Sequence, residues 1–339
     1  MKAAIYMGPG DVRLEELPDP EVGESDVLIE NLRAGICGSD VSLYKIGPNP
    51  RMSPPPTEFG HEMISRVRAK GANATEFEIG QRVYPYPLFA RGNPRQAGAL
   101  GGFSELILAP NAKLGHGLYA VSDAISDRAA AFIEPFTIAM HAAQLGRPSS
   151  GKTAILFGAG TIGLGAALGL RFLGVERIMV ADLSDLRLAK ARDLGFLTCN
   201  PSKQDLRQVG MDAFGEARSI SGMTADIDIW IEATGAAPVL GTFQDVGKLT
   251  ATLVEVGLQK KPILFDFERL AYSQHTIVGS GGYQPSDVTL VMAMLEARPE
   301  DAESLITHEF PLTEMATAMA VASDPEASLA VQIVHDAAH

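Results

Sequence analysis

A glycine-rich turn stands between an apolar run and a helical pattern near the middle of the chain. Residues 154–157 are all apolar, and Gly158-Ala159-Gly160-Thr161-Ile162-Gly163 follows them directly. Residues 164–173 are rich in alanine and leucine at helical spacing, so the glycines are predicted to join a buried strand to a helix. In that context a G-x-G-x-x-G turn is typical of a dinucleotide site, because free N–H groups at the helix start bind a pyrophosphate.

Each glycine of this turn has a physical task. Gly158 permits the tight turn, Gly160 lets the pyrophosphate approach the backbone, and Gly163 lets the helix pack closely on the strand. A second predicted strand, 177–181, ends in Asp182, nineteen residues after Gly163. A carboxylate there can accept hydrogen bonds from both ribose hydroxyls and would repel a 2′-phosphate, so we expect NAD rather than NADP.

Strand and helix patterns then alternate to residue 279, which predicts an α/β fold with a doubly wound parallel sheet. Residues 1–110 instead carry strand patterns broken by proline and glycine, which predict a β-rich domain. The last predicted strand, 330–335, returns to this first domain. The predicted boundaries are therefore 1–136 with 280–339 for the β-rich domain and 137–279 for the dinucleotide-binding domain.

Composition excludes several kinds of partner. With 28 basic and 41 acidic residues the net charge is −13, which argues against nucleic acid. No uninterrupted apolar run approaches the ~18 residues of a membrane span, and no signal-peptide pattern begins the chain. Only two cysteines occur. They suit a reducing compartment, and we expect a cytoplasmic protein.

A second group of chemically useful residues lies in the β-rich part of the sequence. Cys37, His61 and Glu62 offer a thiolate, an imidazole and a carboxylate, all ordinary ligands of Zn²⁺. Three protein ligands with a fourth position open are typical of a catalytic zinc. Taken one at a time, Cys37 also fits a small buried residue and His61 a core histidine, so the residues alone leave both interpretations open.

Five motifs follow one another along the chain. They are Gly35-Ile36-Cys37-Gly38-Ser39-Asp40, Gly60-His61-Glu62, Gly80-Gln81-Arg82-Val83, Glu134-Pro135 with His141-Ala142, and the turn from Gly158 to Gly163. In these motifs and their order the chain resembles the zinc-dependent medium-chain dehydrogenases over essentially its whole length, most closely the sorbitol (polyol) dehydrogenase branch. The resemblance implies a GroES-like catalytic domain beside a Rossmann domain that binds NAD.

The resemblance also implies roles for individual residues of the first domain. Cys37, His61 and Glu62 would ligate one catalytic zinc, and Glu134 would be a nearby carboxylate that ligates directly or exchanges with water. Ser39 would hydrogen-bond the substrate oxygen and pass on its proton. Ser39, Glu62 and Glu134 are thus the expected catalytic residues. The implied reaction is hydride transfer between a secondary alcohol, such as a polyol or sugar alcohol, and NAD.

The expected cofactor-binding residues all lie in the second domain. Asp182 and Arg187 resemble the ribose and adenosine contacts, and Thr234 and Val256 resemble residues on the nicotinamide side. The remaining members are those of the glycine turn: Gly158, Gly160, Thr161, Ile162 and Gly163. The strand 276–279 resembles the edge through which relatives pair, which implies a homodimer or homotetramer.

Several positions depart from the family pattern. The loop 84–102 has no cysteine, so no structural zinc is expected. Ser42 replaces the histidine that usually ends the proton relay, and Gly282 replaces an arginine common in the polyol branch. Two alternatives therefore stay open: a metal-free quinone or enone reductase of the same fold that uses NADPH, and a dinucleotide-binding protein without catalysis.

Overall fold

A computed structural model describes residues 1–47, 54–87, 101–259 and 261–335. The chain forms two compact units. The first comprises Met1–Glu134 and the C-terminal part from Met292, and the second comprises Pro135–Val291. Residues 280–291 therefore fall in the second unit, whereas the sequence assigned them to the first domain. The boundaries given above stay a prediction.

Strands dominate the N-terminal part of the first unit because its apolar residues recur in short runs between turns. Its strands are β1 (Lys2–Gly8), β2 (Asp11–Glu16), β3 (Val27–Gly35), β4 (Thr57–Glu58), β5 (Glu62–Lys70), β6 (Arg82–Pro85), β7 (Leu106–Ala109) and β8 (Leu118–Ala120). Two helices accompany them, α1 (Gly38–Ile46) and α2 (Asp127–Ala130).

The second unit alternates strands and helices. Its helices are α3 (Ile133–Leu145), α4 (Thr161–Phe172), α5 (Asp185–Asp193), α6 (Leu206–Phe214), α7 (Ala237–Val246), α8 (Phe267–Ser273) and α9 (Pro285–Ala297), of which α3 and α9 lie only partly within the unit. Its strands are β9 (Thr153–Phe157), β10 (Arg177–Ala181), β11 (Leu197–Cys199), β12 (Glu216–Ser219), β13 (Gly222–Ala225), β14 (Ile229–Glu232), β15 (Thr252–Glu255) and β16 (Thr276–Gly279).

The chain then completes the first unit with α10 (Pro299–Glu303), β17 (Ile306–Pro311), a 3₁₀ turn Leu312–Glu314, α11 (Met315–Ala322) and β18 (Ala330–Val334). Strand β18 pairs antiparallel with β3, in the sheet ordered β17-β18-β3-β5-β6-β8 with β7 also on β3. A smaller sheet has the order β2-β1-β4. Buried aromatic and aliphatic side chains, including Tyr6, Phe59 and Phe103, form the core between them.

The second unit is built on one parallel sheet with the strand order β11-β10-β9-β14-β15-β16. The order reverses direction at β9, the strand that enters the glycine turn, so the switch point lies between β9 and β14. The core includes Trp230, which stacks on Phe157 with ring centroids 5.6 Å apart. The predicted α/β class and parallel sheet are confirmed.

Within the described residues, no helix exceeds 13 residues, which is fewer than the ~20 that a bilayer crossing needs.

Candidate metal centre and dinucleotide turn

Helix α1 places Cys37 at its N-cap. The Sγ atom of Cys37 accepts a hydrogen bond from Ser39 N at 3.5 Å, and Asp40 Oδ2 accepts one from Cys37 N at 3.0 Å. This is a capping box with cysteine in the position that serine or threonine usually holds. The carboxylate of Asp40 is buried, and it fixes the backbone from which the thiol projects.

Sheet register brings His61 and Glu62 to the same place. Glu62 begins β5 and pairs with Gly35, the last residue of β3 and two residues before Cys37. A side chain on Gly35 would collide with Glu62, since its Cβ would lie 2.5 Å from Glu62 Oε2. Ligand atoms of Cys37, His61 and Glu62 consequently lie within 4.8 Å of one another. The structure thus brings together three of the four side chains predicted to hold zinc, and the fourth is Glu134.

Cys37, His61 and Glu62 lie among carboxylates, and the negative charges raise the pKa values of all three residues. Burial raises the pKa of the Cys37 thiol to about 11, and the carboxylates of Asp40 and Glu134 add to the effect. Burial and the neighbouring acids also raise the pKa of Glu62. Burial alone would lower the pKa of His61, but the nearby carboxylates, Asp40 foremost, outweigh it and raise that pKa. A divalent cation would relieve this mutual repulsion.

The two other predicted catalytic residues differ in burial. Glu134 is 7% exposed, and its negative charge raises the pKa of Cys37, His61 and Glu62. It does not belong to the group whose ligand atoms all lie within 4.8 Å of one another. Ser39 is exposed in the first turn of α1, two residues after Cys37. The donor set of one thiol, one imidazole and carboxylates therefore fits zinc, with Ser39 available to a bound molecule.

The glycine turn of the second unit has the predicted strand-turn-helix form. Gly158 follows β9 with φ +100°, a conformation that favours glycine, and Gly160 is the N-cap of α4. Thr161 and Ile162 begin that helix, so their N–H groups belong to its unpaired first turn. A Cβ at Gly160 would meet only Arg187 Nη1, at 3.7 Å, which leaves the space beside this glycine open to a ligand.

Asp182 follows β10 and lines a pocket of about 320 Å³ together with Phe157, Pro201 and Thr234. Its carboxylate already accepts two backbone hydrogen bonds, from Ala159 N at 2.6 Å and from Ser184 N at 2.8 Å. Each carboxylate oxygen can accept more than one bond, so both remain able to receive ribose hydroxyls. Val256 follows β15 and donates its N–H to the Glu232 carbonyl oxygen at 2.9 Å, and it does not line this pocket.

Two family models match the sequence in the same order as the two sites. The alcohol dehydrogenase GroES-like domain matches residues 23–118, and the zinc-binding dehydrogenase domain matches residues 161–297. The chain belongs to the zinc-type medium-chain alcohol dehydrogenase family. It is an oxidoreductase, and the predicted pairing of a GroES-like domain with a Rossmann domain is confirmed.

Individual relatives of this dehydrogenase match nearly its whole length. An L-threonine 3-dehydrogenase from Mesorhizobium japonicum is 28% identical over 90% of each chain. The structure of 2R,3R-butanediol dehydrogenase from Bacillus subtilis is similar with a TM-score of 0.87, at 24% identity over 99% of each chain. An alcohol dehydrogenase from Escherichia coli CFT073, complexed with NADH, has a TM-score of 0.83 at 25% identity over 98% of this chain and 99% of that one.

Sequence reasoning assigned no role to two buried acids of this dehydrogenase. Asp40 caps α1, and its carboxylate lies 3.8 Å from His61 Nδ1. Its position three residues after Cys37 is the sequence feature that could have indicated this capping role. Glu232 ends β14 and is 1% exposed. Its signal was an acid at the carboxyl end of an otherwise apolar parallel strand, the edge where ligands bind in such sheets.

Proposed function

We propose that this dehydrogenase is zinc-dependent and transfers hydride between a secondary alcohol, a polyol or sugar alcohol, and NAD. The observation that carries the proposal is the donor set of Cys37, His61 and Glu62, with ligand atoms within 4.8 Å of one another. The L-threonine 3-dehydrogenase at 28% identity is consistent with a secondary alcohol as substrate, since threonine carries its hydroxyl on a secondary carbon.

Residues of the chain can be assigned to the metal and to proton transfer in this reaction. Cys37, His61 and Glu62 would hold one zinc, with Glu134 as an added or exchanging ligand. When bound, zinc supplies a Lewis acid that eases loss of the alcohol proton, and NAD accepts the hydride. The exposed hydroxyl of Ser39 would accept that proton and release it towards solvent.

NAD rather than NADP follows from the negative charge of Asp182 in its pocket, which would repel a 2′-phosphate. Residues 88–100 of the loop 84–102 lie outside the described residues, and the proposal of a single zinc depends on the sequence of that loop, which has no cysteine. A cytoplasmic location also stays a prediction.

Association of two chains through β16 is part of the proposal. This strand is the last in its sheet, and Thr276, Ile277 and Gly279 are exposed. Exposed apolar side chains lie nearby in sequence, among them Leu264 at 98% and Phe267 at 73%. An exposed edge with apolar surroundings favours pairing with another copy of the chain.

The test measures zinc per chain by elemental mass spectrometry on protein purified without chelator, together with NAD reduction across polyols, sugar alcohols, diols and threonine. We expect about one zinc, lost in Cys37→Ala and retained in Cys199→Ala, and an NADH signal that disappears with the zinc. Folded protein without zinc that reduces quinones or enones with NADPH would favour the metal-free reductase. Cofactor binding without turnover on any substrate would favour the non-catalytic alternative.

A further inference from the structure

Two acidic residues end neighbouring strands at the carboxyl edge of the parallel sheet. Glu232 ends β14, Glu255 ends β15, and the two are register partners. Side chains of register partners in parallel strands project to the same side of the sheet. A pair of carboxylates at this position would repel each other, so the arrangement requires a compensating interaction.

Glu232 fixes the turn that follows its own strand. Its Oε1 accepts hydrogen bonds from Thr234 N at 2.7 Å and from the Thr234 hydroxyl, and its Oε2 accepts one from Gly235 N at 2.9 Å. The carboxylate is 1% exposed. It is also tightly enclosed, because a Cβ on Gly257 would lie 2.2 Å from Glu232 Oε2. The position of this carboxylate therefore determines the position of the turn 233–235.

The turn 233–235 borders the dinucleotide turn. A Cβ on Gly158 would lie 2.8 Å from Thr234 Cγ2 and 3.3 Å from the Ala233 carbonyl oxygen. Thr234 also lines the 320 Å³ pocket that contains Asp182. Because β9 and β14 flank the switch point of the sheet, the turn forms one wall of the place where a dinucleotide binds in such folds.

Glu255 lies beside Glu232 by the register of the two strands, and two carboxyl groups form a hydrogen bond only when one of them carries a proton. Its Oε1 is buried and accepts no hydrogen bond from the described residues. Glu232 already accepts three hydrogen bonds as a carboxylate, so the proton belongs on Glu255. Glu255 also lines an open cavity of about 750 Å³, which gives that proton a route to solvent.

We propose that Glu255 is a positioning residue for the dinucleotide: its protonated carboxyl donates a hydrogen bond to Glu232 and so holds the turn 233–235 against the glycine turn. The inference rests on the proposed function, since it needs NADH to bind at this edge of the sheet. Loss of the proton places two carboxylates side by side and removes the donor that neutralises their contact. Glu232 then holds its turn less firmly, and the dinucleotide binds less tightly.

The charged and titratable groups that face Glu255 come from three directions. They are Glu232 on β14, Lys261 in the segment after β15 and His275 before β16, while the uncharged Gln259 lines the same cavity. Burial and Glu232 raise the pKa of Glu255 to about 7. Because the bound state requires the protonated form, NADH affinity is expected to fall as the pH rises through that value.

The experiment is an NADH fluorescence titration of the whole protein from about pH 6 to 8.5, with NADH chosen because its nicotinamide ring is uncharged. We expect the Kd of the wild type to rise roughly three- to tenfold across this range, a change of up to about 1.4 kcal/mol. Glu255→Gln keeps a donor without titrating, so its Kd should stay near the low-pH value of the wild type throughout. Glu255→Leu lacks the donor, so its binding should be weak and independent of pH.

Two controls separate this effect from other titrations. Glu268→Gln removes an exposed acid from α8, and His275→Gln removes the imidazole that lines the same cavity and whose pKa is lowered by burial, so both should keep the wild-type profile. A Glu255→Gln protein with the wild-type pH profile would overturn the inference and leave the proposed function intact. A wild type that binds no NADH at any pH would overturn both.

Discussion

The carbonyl oxygen of Gly158 lies 1.7 Å from the point that a Cβ on residue 163 would occupy. No side chain fits at that distance, so helix α4 approaches the end of β9 only because residue 163 is glycine. We predict that Gly163→Ala forces the helix start away from the turn, lowers the free energy of unfolding by roughly 1–3 kcal/mol and weakens NADH binding at least about tenfold. Urea denaturation and NADH titration measure the two effects.

Gly241→Ala is the matched control. Gly241 lies inside α7, and a Cβ there would meet nothing within 4 Å. Alanine is the better helix former, so this variant should be more stable by roughly 0.5–1 kcal/mol and should bind NADH as the wild type does. Equal losses of stability and binding in the two variants would contradict the role given to Gly163.

Asp182 is predicted to select NADH over NADPH by charge and to order the turn through its bond to Ala159 N. Asp182→Asn keeps an oxygen acceptor and removes the charge, so the preference for NADH should fall at least about tenfold while NADH itself still binds. Asp182→Ala loses the acceptor as well, so binding of both nucleotides should weaken. Titrations with NADH and NADPH measure both affinities. If Asp182→Asn preferred NADH as strongly as the wild type does, the charge of Asp182 would not be the cause of that preference.

Lys248 lies in the segment before β15 and forms ion pairs with Asp226 and Asp228, in the segment before β14, at 2.5 and 2.6 Å. Burial would raise the pKa of Asp228, but the hydrogen bonds from Lys248 and Thr153 N outweigh it and lower that pKa. Burial would lower the pKa of Lys248, but its bonds to the two carboxylates raise it. We predict that Lys248→Met costs roughly 1–2 kcal/mol of unfolding free energy at neutral pH, discounted for partial exposure.

The pH dependence of this cost has a definite sign. The contribution of Asp228 is present above its unfolded pKa of about 4 and is lost as the pH falls through its lower folded pKa. That of Lys248 is present below about pH 10 and is lost as the pH rises through its higher folded pKa. The difference in unfolding free energy between the wild type and Lys248→Met should therefore become smaller as the pH falls.

The exposed ion pair of Lys203 and Asp185 supplies the control. Lys203→Met should change the free energy of unfolding by less than about 0.5 kcal/mol.

The sequence predicted the parallel strands well because their signals are local. Strands 177–181 and 276–279 were predicted with the bounds that the structure has, since each is a short run rich in β-branched or other apolar residues between turn signals. Helix α1 was missed because cysteine is an unusual N-cap, and its start depends on the bond between Cys37 N and Asp40. The hairpin of β12 and β13 was missed because burial does not alternate along β13, where Gly222 and Met223 are exposed and Thr224 and Ala225 are buried.

The metal centre required information that no local pattern contains. Cys37 and Glu62 meet through the pairing of Gly35 with Glu62 across two strands, and register between distant strands is not written in either segment alone. Taken by themselves, Cys37 and His61 could equally be buried residues of the core. Only the family resemblance placed the two in one metal site. The pair of Glu232 and Glu255 depends in the same way on strands that are distant in sequence.

Strand β16 provides the last prediction. Thr276 N and Ser280 N bond inward to the carbonyl oxygens of Ala251 and Glu255, so the N–H of Ile277 between them faces the outer edge of the sheet. If two copies pair through this edge, Ile277→Lys should convert the dimer to a monomer by placing a charge in the pairing strand.

Light scattering after size exclusion measures the mass of the particle in solution. Leu114→Lys, at a residue of similar exposure (37% against 38%) in the first unit, should leave the dimer intact. A wild type that is monomeric at high concentration, or an Ile277→Lys protein that still dimerises, would rule out this edge as the interface.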